Sequence, residues 1–188
     1  MHERRQELIE QALKCFLEHG VAGLSLRPMA ARVGTSARLL IYHFGSKEGL
    51  ITAVMDEARA RMQESFAQLL ADRGGAAEGL MLSFWAWVTH PNNIKCIRLL
   101  LEVQILALQD PVRYARYLKG TSSSWLKLIE ASLPASGENR ALATLCVAVI
   151  DGLLLEYLST GDSQRTKQAL DLFNRVIVDY RRGEHTSQ

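Results

Sequence analysis

Residues Leu24 to Leu50 read LSLRPMAARVGTSARLLIYHFGSKEGL. Two short helical segments, about 26–33 and 37–43, flank the turn Arg32-Val33-Gly34-Thr35-Ser36. Ser25 can cap the first, with Pro28 tolerated in its opening turn, and Ser36 can cap the second. Gly34 supplies the left-handed backbone that a side chain disfavours. Two short helices joined by a tight glycine-containing turn are the minimum description of a helix-turn-helix. That geometry lets the second helix enter a major groove while the first braces against the backbone.

The charge around this stretch is uneven. The 188-residue chain has a net charge of +2, but residues 1–50 hold seven Lys/Arg against five Asp/Glu, and the remainder holds fifteen of each. No acid occurs between Glu18 and Glu48, whereas Arg27, Arg32, Arg38 and Lys47 all fall there, with His19 and His43. A short basic window before a neutral remainder reads as a small anion-binding head on a larger body.

Outward from the head, period-3.6 patterns recur and alternating β patterns do not, so the chain reads as all-α with about nine helices. A first helix, about 3–19, carries Leu8, Ile9, Ala12, Leu13 and Phe16 on one face and stops at Gly20. Ser46 caps a long helix, about 47–71, that spans nearly ~40 Å and is expected to bridge two lobes. Beyond Gly74–Gly75, helices are expected at about 76–89, 93–109, 111–133, 138–159 and 162–181. Asp110–Pro111 and Asp162 mark two starts, Gly120 a candidate kink, and the tail Arg182 to Gln188 is expected to fray. With 48% hydrophobic and 22% charged residues and only four prolines, the chain is neither disordered nor collagen-like. Cys15, Cys96 and Cys146 lack the spacing of a disulfide scaffold or a zinc site, so neither metal nor cofactor is expected. The charged N-terminus and the lack of any 18-residue apolar run point to a cytoplasmic protein that does not enter a membrane.

The ordered set Leu8-Ile9, Ala12, Phe16, Gly20, Ser25-Leu26-Arg27, Met29-Ala30, Val33-Gly34, Ser36, Leu40, Tyr42-His43-Phe44, Ser46-Lys47-Glu48 and Leu50 resembles the DNA-binding domain of the TetR family of bacterial transcriptional regulators. The resemblance covers about the first 50 residues. It implies that Ser25 and Arg27 bind phosphate and that Thr35, Ser36, Ala37, Arg38 and Leu39 face base edges. Arg38 is then the candidate for bidentate contact to guanine, with Ala37 or Leu39 against a thymine methyl. Tyr42, His43 and Lys47 would hold flanking phosphates. Many relatives have a tyrosine where this chain has Ile41, which leaves the phosphate role to Tyr42 and His43. Leu40 and Phe44 are expected in the core.

In the larger part, Lys95, Arg98, Glu102 and Gln109 share one stripe of helix 93–109, with Arg98–Glu102 an i,i+4 pair. Gln104 lies opposite, in the apolar interior, where an amide needs either neighbouring backbone or a ligand. Aromatic residues crowd between 84 and 125, and Trp87, His90, Gln104, Tyr117 and Trp125 are the candidate wall of a site for a small, largely apolar effector. Cys96 is a lone thiol, structural unless an activating neighbour lowers its pKa. The last two helices carry more apolar surface than one lobe can cover. Leu145, Ala148, Val149, Gly152, Leu153, Phe173, Val176 and Ile177 are the candidate dimer interface, and in TetR relatives these helices form a four-helix bundle.

The expected division is a helix-turn-helix DNA-binding domain at 1–46 and a helical effector-binding and dimerisation domain at 47–188. The function expected is a homodimeric transcriptional regulator, a repressor, that binds a palindromic operator and is released by a small molecule. No GxSxG, HExxH, P-loop or GxGxxG constellation supports an enzyme. A helical dimeric adaptor or sensor without DNA binding is the other reading, and the acid-free basic head argues against it.

Overall fold

The computed structural model describes residues 2–72, 79–133 and 138–184, and all regular structure among them is helical. In chain order the helices are α1 (His2–His19), α2 (Leu26–Arg32), α3 (Ala37–Phe44), α4 (Lys47–Asp72), α5 (Leu80–Val88), α6 (Pro91–Gln109), α7 (Ala115–Ser132), α8 (Asn139–Thr160) and α9 (Ser163–Glu184). Periodicity located these helices to within a few residues, with one correction of substance. The α7 helix begins at Ala115 rather than at Pro111, because Asp110 starts a separate turn. Its Oδ1 accepts from the Arg113 N–H at 3.3 Å, its carbonyl accepts from the Tyr114 N–H, and the Ala115 N–H reaches only to the Val112 carbonyl. That turn buries the Tyr114 ring beside Tyr117. Gly120 does not split α7, whose helical backbone runs through it. Asp162 caps α9 as expected, accepting from the Arg165 N–H at 2.9 Å. Gly74–Gly75 and the start expected at 76 lie outside the described residues, as does 185–188, while α9 itself continues to Glu184.

By packing, the chain forms two compact units. One comprises Met1–Ser65 and Pro91–Ser123, the other Phe66–His90 and Ser124–Gln188. Helix α6 thus shares a core with α1 to α4. In the first unit Leu8, Ala12 and Phe16 of α1, Met29 of α2, Leu40 of α3, Leu50, Val54 and Met55 of α4, and Val103 and Ala107 of α6 are all buried together. Burial of large aliphatic and aromatic side chains of this kind contributes roughly 1.5–3 kcal/mol each, upper-bound values for the hydrophobic term.

The second unit is built on aromatic edges and on α8 against α9. Phe66, Phe84, Trp87 and Trp125 form one cluster with ring centroids 4.9–6.1 Å apart, in the edge-to-face and tilted arrangements that aromatic quadrupoles favour. Leu142, Ala143, Cys146, Ile150 and Leu154 bury one stripe of α8. By length and composition α8 could cross a membrane, yet only 22% of its apolar window is buried within the protomer. Much of its apolar surface is thus left without a neighbour in one chain.

Candidate nucleic-acid interface

The turn between α2 and α3 closes as its sequence requires. Gly34 has φ +69°, and the Thr35 N–H donates to the Ala30 carbonyl at 2.9 Å. The Ser36 Oγ accepts from the Leu39 N–H at 3.1 Å, which starts α3 cleanly. Ser25 has the extended backbone of an N-cap, but its hydroxyl makes no capping bond and stands exposed, contrary to the capping role expected of it. Leu40 is fully buried and pins α3 to the core of the head. Phe44 is half-buried and carries the Arg5 guanidinium over its ring at 5.1 Å.

The joint between α3 and α4 is tight. Gly45 turns with φ +78°, and the Ser46 Oγ accepts from the Gly49 N–H at 2.9 Å. At Gly49 an added Cβ would sit 2.1 Å from the Phe44 carbonyl oxygen, so the two helices approach more closely than any side chain there would permit. The recognition helix is therefore seated on both sides, by Leu40 below and by the start of α4 behind.

Solvent meets Arg38, Ile41 and Tyr42, one helical stripe at i, i+3 and i+4, with Tyr42 69% exposed. Arg27 and Ser25 are also exposed, and Thr35, His43 and Lys47 are half-buried. Ala37 and Leu39 instead pack partly against the core, and the Ser36 hydroxyl is occupied by its cap. The outward stripe thus differs from a simple reading of 35–39 as the base-facing run. Ile41, noted in the sequence only as a departure from relatives, is part of it, and the i+3 spacing from Arg38 is the signal that points to it. Among the described residues, Arg27, Arg32, Arg38 and Lys47 form no ion pair, whereas other arginines of the same unit (Arg4, Arg61) pair with carboxylates at 2.7 Å. Four cations left unneutralised on one small head form a surface prepared for a polyanion.

A charge from outside the helix-turn-helix supports its far end. The Glu102 carboxylate of α6 does not pair with Arg98. Its Oε1 accepts from the Val21 N–H at 2.9 Å and from the Ala22 N–H at 2.6 Å, in the turn that follows α1. Successive backbone N–H groups outcompete a solvated surface arginine for a carboxylate because they need no side-chain ordering. Eighty residues of sequence separate the partners, so no local pattern could reveal them.

The five candidate effector contacts divide between the two units. Gln104 and Tyr117 belong to the first unit, where Tyr117 is 1% exposed and the Gln104 Oε1 is buried without a partner. Trp87 and Trp125 meet in the aromatic cluster of the second unit, and His90 is exposed at the turn before α6. Burial holds the Cys96 thiol up at about 11, so it carries almost no thiolate near neutrality. Of the eight candidate interface residues, Leu145, Ala148, Gly152 and Val176 are exposed, while Val149, Leu153, Phe173 and Ile177 are half-buried. The exposed stripes also include Leu155 on α8 and Leu172 and Tyr180 on α9. Along α8 the exposed positions 145, 148, 152 and 155 alternate steps of three and four, the spacing of a helix seam.

Comparison with known proteins agrees with this geometry. The pattern that defines "Bacterial regulatory proteins, tetR family" matches residues 8–54. The chain is 29% identical to the HTH-type transcriptional repressor AcnR of Corynebacterium diphtheriae, over 93% of this chain and 91% of that protein. It is 26% identical to the HTH-type transcriptional regulator BetI of Burkholderia mallei, over 93% and 91% respectively. Among solved structures, the multidrug binding protein EbrR complexed with imidazole superposes with a TM-score of 0.66 at 26% identity, over 92% of this chain and 89% of that one. A transcriptional regulator from Rhodococcus sp. Rha1 shares the fold at a TM-score of 0.75 and 19% identity, over 93% and 96%. Its helix-turn-helix, its helical order and these relatives agree: residues 8–54 carry the match to the tetR family of bacterial regulatory proteins, and the chain as a whole is similar to transcriptional regulators.

Proposed function

We propose that the protein represses transcription as a two-fold dimer on a palindromic operator, and that a small molecule bound among its helices releases it. The observation that carries this reading is the exposed stripe of Arg38, Ile41 and Tyr42 on a helix whose neighbourhood holds four unpaired cations. Arg38 reads a guanine edge, and Ile41 is shaped for a thymine methyl. Ser25, Arg27, Tyr42, His43 and Lys47 hold phosphates and set the register. Ser36 and Leu39 serve by capping and seating the helix, with Thr35 and Ala37 at its groove-facing end.

Two copies related by a two-fold axis present two such helices to major grooves about 34–36 Å apart. The exposed apolar stripes of α8 and α9 supply the contact between copies. A DNA partner places the protein in the bacterial cytoplasm. An effector acts only if it binds the released conformation more tightly than the DNA-bound one, and the difference in affinity sets the size of the response.

Selection of duplexes from a random pool by the purified full chain tests the reading. The expected product is a palindrome with half-site centres one helical turn apart, or a multiple of it. Binding to that palindrome should weaken steeply between 50 and 200 mM salt (roughly 10³-fold for about six phosphate contacts). An unenriched pool and salt-insensitive binding would instead favour an adaptor without DNA binding.

A further inference from the structure

The α4 helix carries a charge in its interior face. Arg59 follows Met55 by four residues and precedes Met62 by three, within the stripe of apolar residues that packs inward, and it is 6% exposed. A guanidinium keeps its proton at any pH a protein meets, so burial cannot be relieved by neutralisation. Its surroundings do little to balance it. Asp56 lies 3.6 Å from Nη1, beyond good hydrogen-bonding distance, and that carboxylate is half exposed to water. The Tyr117 ring covers the guanidinium at 5.0 Å, but a ring satisfies the face of the cation and leaves its in-plane donors alone.

Those donors are Nε and Nη2, and both are buried without a partner. Together they form the side edge of the guanidinium, where two parallel N–H groups match the two oxygens of a carboxylate. Two further buried polar atoms in the same compact unit lack partners. Nε2 of Gln63 lies one turn after Arg59 on α4, and Oε1 of Gln104 lies on α6. Tyr117 connects the two helices, holding Arg59 on its face and donating from its hydroxyl to the Leu100 carbonyl, one turn before Gln104. Folded proteins rarely leave so many buried donors and acceptors unmet unless something else meets them.

We infer that Arg59 is the anchor of a binding site for an organic monocarboxylate, with Gln63 and Gln104 taking up neutral polar groups of the same ligand. This inference rests on the reading of the chain as a ligand-released regulator and specifies the charge of the ligand. One cation and two amides match a single negative charge. A phosphate dianion would bring a second charge with no cation to meet it and Asp56 nearby to repel it. The carboxylate thus completes a site that is otherwise uncompensated. Since α4 also abuts the recognition helix through Gly49, the anchor sits on the element that positions α3.

Thermal unfolding of the full chain at constant ionic strength tests the assignment. Sodium formate, benzoate and octanoate are compared with benzamide, sodium phosphate and sodium chloride. At least one carboxylate should raise the wild-type Tm by about 5 °C at saturation, with no such shift from benzamide, phosphate or chloride. Arg59→Met should abolish the shift while leaving the ligand-free Tm unchanged or higher, because a buried uncompensated charge is removed. No carboxylate effect above that of chloride, or a shift that persists in Arg59→Met, overturns the site. So does a lowered ligand-free Tm in that variant with no carboxylate response in the wild type, which would make Arg59 a packing residue on Tyr117.

Should Arg59→Met not fold, Arg59→Lys keeps the charge but loses the fork, and the affinity for whichever carboxylate stabilises the wild type should fall about tenfold by calorimetry. Unchanged affinity overturns the site equally. Operator binding is measured in parallel. A protein that binds its palindrome but no carboxylate sinks this site and leaves the regulator standing, whereas Arg59-dependent carboxylate binding without duplex binding does the reverse.

Discussion

The exposed face of α3 and the exposed faces of α8 and α9 are both left to solvent by a single chain, yet their chemistry is opposite. On α3 the outward residues are Arg38, Ile41 and Tyr42, with Arg27 and Lys47 nearby and no acid from Glu18 to Glu48. On α8 they are Leu145, Ala148, Gly152 and Leu155, and on α9 Leu172, Val176 and Tyr180. The first face gains little from shedding water and much from meeting phosphates. The second gains from shedding water and has small residues where another helix can approach closely. Exposure is common to both faces, and the residue types separate a face suited to anions from one suited to another apolar surface.

The sharpest way to break this comparison is Gly152→Trp. Nothing lies within 4 Å of the position a Cβ would take there, so a side chain at 152 starts out into open space in a single chain. A partner helix seated there would collide with the indole. Sedimentation should show a monomer, with operator affinity down at least about a thousandfold because two half-sites no longer bind as one. A dimer of unchanged affinity would show that the apolar face of α8 serves something else.

Next in size is Gly49→Ala. The added methyl would overlap the Phe44 carbonyl, and repacking should cost about 3 kcal/mol, read as a lower denaturation midpoint with DNA affinity falling alongside it. The contrast with Gly152 is instructive, since two helical glycines differ entirely in what surrounds them. Smaller again is Arg38→Ala, which should cost ~1–3 kcal/mol on the selected palindrome and relax one base position. Lys47→Ala should weaken all duplexes alike and lower the salt slope by about one. Equal losses on specific and random DNA for Arg38→Ala would reduce it to a phosphate contact.

What was legible in advance follows from the range of the forces involved. Helix positions, the Gly34 turn and the Ser36, Ser46 and Asp162 caps depend on residues three or four apart, and these readings agree with the structure. So does the burial of Leu40, which the apolar period of α3 already required. Contacts over long sequence distances were not legible. The local spacing pairs Glu102 with Arg98, whereas its partners in the fold are backbone groups of Val21 and Ala22. Arg59 does leave a trace in the sequence, a cation in register with Met55, Met62 and Phe66. Leu39 was grouped with the groove-facing residues by its place early in α3, but a leucine beside Leu40 is drawn inward by the same core.

The closeness of Gly49 to Phe44 has a mechanical consequence. With no room for a side chain between them, a rotation of α3 against the start of α4 meets backbone rather than a yielding side chain. The 26 residues of α4 make an arm of ~39 Å. A tilt of about 5° over such an arm carries its tip roughly 3 Å, a quarter of the width of the groove it must enter. A tilt this small is thus comparable with the precision that entering the groove demands.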